Sequence, residues 1–310
     1  MICKKKIFSI LAVLLAFETV HACDICGCGV GSYYVGILPE FRKKFVGLRY
    51  QNKGLMTHLG NDGRRTYLTT DETYHIAELW GAINIGKKFR LLGFIPYNFI
   101  IRKNQGVSIR KSGTGDIALM GYYQLLTTRK PASGNKMLVQ SLWAGAGMKL
   151  PTGRYNPADK NVSESIQNTF QLGTGSLDFM LQAVYDIRLQ DAGINTNISY
   201  KFNTTNRFEY RYGNKFTMNM LGYYKFKLGK SSSVGPNAGF MFETSEKDIK
   251  NNSTLIFDSG GNVFTGTAGF EFSWKKISLG ANYQAPFSQQ LAEGKVKSRD
   301  RVMAHLSFTL

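Results

Sequence analysis

Segment after segment, this chain alternates apolar and polar residues one position at a time. From 177 to 189, Leu177, Phe179, Leu181, Ala183, Tyr185, Ile187 and Leu189 share one phase. Asp178, Met180, Gln182, Val184, Asp186 and Arg188 share the other. Further on, Ile277, Leu279, Ala281, Tyr283 and Ala285 oppose Lys276, Ser278, Gly280, Asn282 and Gln284. Successive side chains of a strand point to opposite faces, so each segment reads as a strand with one greasy and one wet face. A helix would scatter the same residues around a cylinder.

Twelve segments carry this pattern: 43–52, 73–86, 89–102, 114–127, 136–150, 175–189, 192–203, 215–228, 233–244, 262–273, 275–287 and 299–310. Many exceed the roughly 5–6 residues usual in soluble sheets. They match the roughly 9–11 that a tilted strand needs to cross a bilayer. The connections alternate in length. Those at 53–72, 103–113, 151–174, 204–214, 245–261 and 288–298 are long, and those near 87–88, 128–135, 190–191, 229–232 and 274 are short. Long outer loops and short periplasmic turns mark outer-membrane barrels. The expected fold is therefore all-β, a transmembrane antiparallel up-and-down barrel of about 12 strands over 42–310. It would sit in a Gram-negative outer membrane with both termini periplasmic. In lipid a sheet satisfies its backbone only by closing on itself.

The first residues read as an export signal. Lys4, Lys5 and Lys6 precede the apolar run Ile7 to Phe17, and Val20 and Ala22 are the small residues of a cleavage site. Such a segment is a signal peptide, expected over 1–22. The run is too short to span a bilayer, which takes about 20 residues. The whole chain carries +18. The leader holds three lysines and one glutamate, so its removal leaves +16. A segment over 23–41 follows, with Cys23, Cys26 and Cys28. Three readings stand for it. The thiolates suit a soft metal such as copper or zinc. An oxidising compartment favours a disulfide, Cys23–Cys26 or Cys23–Cys28. Lipidation of Cys23 after Val20-His21-Ala22 is the third. No other cofactor is expected.

The stretches GTGDIALMGYYQL (113–125), AGAGMKLPTGRYN (144–156) and QLGTGSLDFMLQAVYD (171–186) resemble the motifs of an outer-membrane family. That family is labelled as a proposed transporter of the phenol meta-cleavage pathway. It shows a G-x-G-D strand start, a K-x-P-T-G strand exit and a G-x-G-S-x-D strand start, in that order. The resemblance covers roughly 113–189 and implies a barrel that passes small, often hydrophobic, solutes. The glycines at these strand boundaries read as structural.

Strand phase gives the interior. Arg49, Glu78, Arg90, Arg102, Asp116, Lys149, Asp178, Asp186, Lys201, Lys225 and Lys227 fall opposite the apolar face and are the expected lumen-lining residues. Both signs occur, with basic groups in excess, so the charges either pair across the lumen and plug it or line a narrow wet channel that favours anions. Rings near strand ends, among them Tyr97, Phe99, Tyr122, Tyr123, Tyr200, Phe202, Tyr223 and Phe226, suggest aromatic girdles. Catalysis is not expected. No G-x-S-x-G or H-E-x-x-H occurs, and the pair His305 and Ser307 falls on the wet face. Expected partners are outer-membrane lipids, lipopolysaccharide phosphates and the barrel-assembly machinery, with no nucleic acid for an exported chain. The function expected is a channel or transporter for small solutes. The alternative is a structural or metal-associated barrel.

Overall fold

The computed structural model describes residues 43–132, 134, 136–159 and 168–310. The signal peptide and Cys23, Cys26 and Cys28 lie outside them. Twelve long antiparallel strands dominate. β1 (Phe45–Thr57), β2 (Thr70–Ile85), β3 (Phe89–Asn104) and β4 (Ile117–Ala132) come first. β5 (Lys136–Leu150), β6 (Asp178–Leu189), β7 (Ala192–Phe202) and β8 (Lys215–Tyr224) follow. β9 (Ser232–Ser245), β10 (Gly261–Trp274), β11 (Ile277–Leu291) and β12 (Lys297–Thr309) complete the series. Each strand pairs with its chain neighbours, and β1 pairs with β12 from Phe45↔Thr309 to Met56↔Lys297. The sheet thus closes into a 12-stranded barrel without a free edge, which solves the backbone problem that lipid poses.

The barrel is inside out relative to a soluble protein. Outward positions carry exposed Leu48, Leu79, Ile95, Leu181, Phe270 and Leu306, while Arg49, Glu78, Arg90 and Lys149 are buried inside. A fully exposed apolar band of this extent belongs in lipid. Outward rings gather toward the two ends. Phe89 and Tyr123 pack at 4.9 Å near the short turns, and Tyr200 and Phe202 at 4.6 Å near the long loops.

Three sequence expectations need correction. The region 103–113 is not a loop. It turns at Gln105-Gly106, and a strand at Val107–Thr114 runs back along the upper half of β3. Local alternation fades there, so its pairing was not visible. Tyr122 and Tyr223 are not girdle rings: both face inward, where Tyr122 bonds Gln182 and Tyr223 bonds Asp186 at 3.1 Å. The inner wall is also not uniformly polar. On β1 to β6, Phe45, Trp80, Phe94, Met120, Trp143 and Met180 form one buried apolar cluster inside the barrel. The wall of β8 to β11 carries Thr217, Asn237, Thr265 and Asn282.

Candidate functional site

The lumen is built in levels, because residues in register on neighbouring strands share a height. One level reads Glu271, Gly280, His305, Arg49 and Glu78 across β10, β11, β12, β1 and β2. Arg49 donates to Glu78, and its guanidinium lies 5.2 Å from the Trp80 ring. His305 Nε2 meets Glu271 Oε1 at 2.9 Å. This contact passes over Gly280, where a Cβ would stand 2.2 Å from His305 Nε2 and 2.6 Å from Glu271 Oε1. Nearer the loops, Glu243 takes Lys215 at 2.8 Å and Arg301 at 2.7 Å, and Glu72 takes Arg102 at 2.8 Å. Four acids thus meet bore bases: Glu72 takes Arg102, Glu78 takes Arg49, Glu243 takes Lys215 and Arg301, and Glu271 takes His305. Of these acids, strand phase alone had drawn attention only to Glu78.

The remaining expected lumen residues fall as follows. Arg90 is buried and donates to Asn84 at 3.0 Å. Lys201 is buried in register with Lys215. Asp186 is half-buried and accepts from Asn195 at 3.3 Å. Lys225 is half-buried at the turn end. Lys227 keeps the inward phase at the turn end, in register with Ser233, and its side chain reaches the rim, 72% exposed and 3.7 Å from Asp191. Strand β8 is interrupted after Tyr224, but its pairing with β9 resumes in the same register at Phe226↔Val234.

The three sequence motifs converge on one buried knot at the loop end. The ammonium of Lys149 lies 2.7 Å from Asp116 and 2.8 Å from Asp178, and all three side chains are fully buried. Asp116 also accepts from the backbone N–H groups of Gly153 at 2.9 Å and Thr174 at 2.8 Å. A Cβ on Gly173 would stand 2.4 Å from Asp116, and one on Gly153 would stand 2.7 Å from the Gly173 Cα. The glycines are there because two backbones and a carboxylate meet in that space. The motifs thus serve to fold the longest loop back onto the barrel.

The returning part of that loop crosses the bore. Thr169 donates to Glu72 at 2.7 Å, Tyr74 donates to the Thr169 carbonyl at 3.0 Å, and Asn98 donates to the Leu172 carbonyl at 2.8 Å. The Phe170 ring carries Arg102 at 4.1 Å and Lys111 at 4.5 Å. Nearly half the ring away, Tyr212 donates to the Asn168 carbonyl at 3.1 Å and Asn206 to that of Thr174 at 2.9 Å. Phe170 and Leu172 pack with Leu55, Ile100, Val263 and Val296 from both sides of the mouth. At the turn end, by contrast, the lumen opens into a cavity of about 300 Å³ lined by lysines and serines.

A closed 12-stranded barrel with an apolar outer band, a charged interior and a loop folded into its mouth defines an outer-membrane β-barrel. The chain belongs to the family described as "Putative MetA-pathway of phenol degradation", whose model matches residues 66–292. Among solved structures it is similar to an outer membrane channel from Pseudomonas putida F1. That likeness has a TM-score of 0.58 and 15% identity, over 86% of this chain and 96% of that one. The β domain of the Bordetella autotransporter BrkA follows with a TM-score of 0.49 and 10% identity, over 86% of this chain and 100% of that one. Among curated proteins none matches.

Proposed function

We propose that this barrel is a channel for small solutes, with the lumen as the path and the loop segment 168–176 as its constriction. The observation that carries this reading is the charged lumen. Replacing buried ion pairs with apolar residues of similar volume is often neutral or stabilising. A barrel needed only as a scaffold could fill its bore more cheaply than with Arg49–Glu78, His305–Glu271 and Lys215–Glu243–Arg301. Charges spaced along a bore are what a hydrated solute needs to exchange its water for protein groups. The orientation that goes with this places both termini and the short turns in the periplasm and the long loops outside, as loop lengths suggest. The family description and the likeness to an outer membrane channel support the class of function and leave the solute open.

A second reading has its own observation. Trp80, Tyr122 and Met120 are each no more than 2% exposed although they face the bore, so the β1–β6 side of the lumen is filled. On this reading the barrel is closed and transports nothing. Reconstitution in planar bilayers separates the two. Steady conductance that rises when 168–172 is deleted supports the channel. Its absence in both parent and deletion protein supports the closed barrel.

A further inference from the structure

Among the described residues, lysines gather most densely around the turn-end cavity. Along the bore Arg49, Arg102, Lys149, Lys215 and Arg301 each meet a carboxylate. Here Lys43, Lys225, Lys227, Lys230 and Lys275 come together from the start of β1, the β8–β9 connection and the β10–β11 turn. The described residues lining it include no carboxylate; at its edge Asp191 lies 3.7 Å from Lys227, and Lys225 lies in the field of Asp186. Like charges brought together in a concave site raise the local concentration of counter-ions.

The wall behind the lysines supplies donors. Ser233, Ser273, Ser278 and Ser307 stand in register on β9, β10, β11 and β12, so four hydroxyls form one row across the sheet. Lys227 pairs with Ser233 and continues the row. All four serines line the cavity. Ser307 is 3% exposed, and its Oγ has no hydrogen-bond partner among the described residues. A buried hydroxyl without a partner costs free energy unless something else satisfies it. The hydroxyl row and the ammonium groups are complementary to the same chemistry, an acceptor-only group carrying negative charge.

We propose that the turn-end mouth is a binding site for a small, multiply charged oxyanion, such as a phosphate, held between the lysines and the serine row. Binding needs only the cavity, so it can succeed or fail independently of conduction. The test is calorimetric titration of inorganic phosphate into the full-length protein in neutral detergent micelles at low salt. Saturable binding is expected. It should weaken about tenfold or more in K230S/K275S, since two partly exposed ion pairs together contribute on the order of 1–2 kcal/mol. It should stay unchanged in K247S, whose lysine lies at the loop end beside Glu293. Ser307→Ala serves as the milder variant, keeping heat-modifiable migration while binding weakens. Equal binding in K230S/K275S, or an equal loss in K247S, overturns the site. Acetate binding as tightly as phosphate overturns the requirement for multiple charge. Displacement of phosphate by phosphatidylglycerol added to the micelles makes these lysines lipid-headgroup contacts and overturns the soluble ligand.

Discussion

Lys149 and Asp116, each fully buried, meet at 2.7 Å in the wall of the barrel, and the pair anchors the longest loop. Removing one partner of a buried ion pair strands the other charge and typically costs about 3–5 kcal/mol. Lys149→Ala leaves Asp116 and Asp178 facing each other without a cation. Its barrel is expected to unfold at clearly lower denaturant or temperature than the parent, read as the loss of heat-modifiable migration on gels. Unchanged stability would show that the knot does not hold the fold.

The segment crossing the mouth makes a separate prediction. Deleting 168–172 removes the contacts to Glu72, Tyr74 and Asn98 while leaving Lys149 and both aspartates in place. Single-channel conductance is expected to rise in the deletion protein. An equal or lower value would mean that the constriction lies elsewhere.

Gly280 is tested by one methyl group. A Cβ at 280 occupies the space between His305 and Glu271, so Gly280→Ala should part them. The expected loss is about 1–3 kcal/mol, the usual cost of leaving buried polar groups unmatched. Leu279→Ala, one residue away on the lipid face, tests whether the effect is specific to the inner wall. Equal destabilisation by both would argue against the His305–Glu271 contact as the cause.

The outer face has its own signature. Leu79 is exposed on the apolar band near the middle of β2. Leu79→Arg should destabilise folding into bilayers by about 2–4 kcal/mol, the cost of a cation near the midplane. Cysteine labels at Asn61 and Asn251, in long loops, should react on intact cells, and labels at Lys88 and Ala192 should not. The reverse labelling would invert the proposed orientation.

His58 makes the first long loop sensitive to acid. It follows β1, bonds Thr57 at 2.9 Å, and burial lowers its pKa below the ordinary 6.5, with Arg102 adding to the effect and Glu72 opposing it. A base whose folded pKa is lowered contributes stability above its unfolded pKa, and that contribution is lost as pH falls through 6.5 toward the folded value. Proteolysis after Arg64 or Arg65 in that loop should therefore accelerate between pH 7.5 and 5. His58→Gln should flatten the dependence. A parent protein cut equally fast at both pH values would contradict it.

All twelve strands and the even, antiparallel closure were legible in the sequence, because side-chain alternation is local and every strand carries its own phase. The same phase identified which residues face inward, from Arg49 on β1 to Lys201 on β7. It could not assign their partners. Glu271 reaches His305 only because register brings Gly280 between them, and Lys149 finds Asp116 and Asp178 only because two distant glycine turns meet beside it. Nor could it show that residues 168–176, which carry no alternation, turn back into the mouth, or that five lysines from separate segments share one cavity. Those arrangements depend on the stagger of twelve strands around a closed ring. The sequence sets the faces of each strand, and closure sets which faces meet.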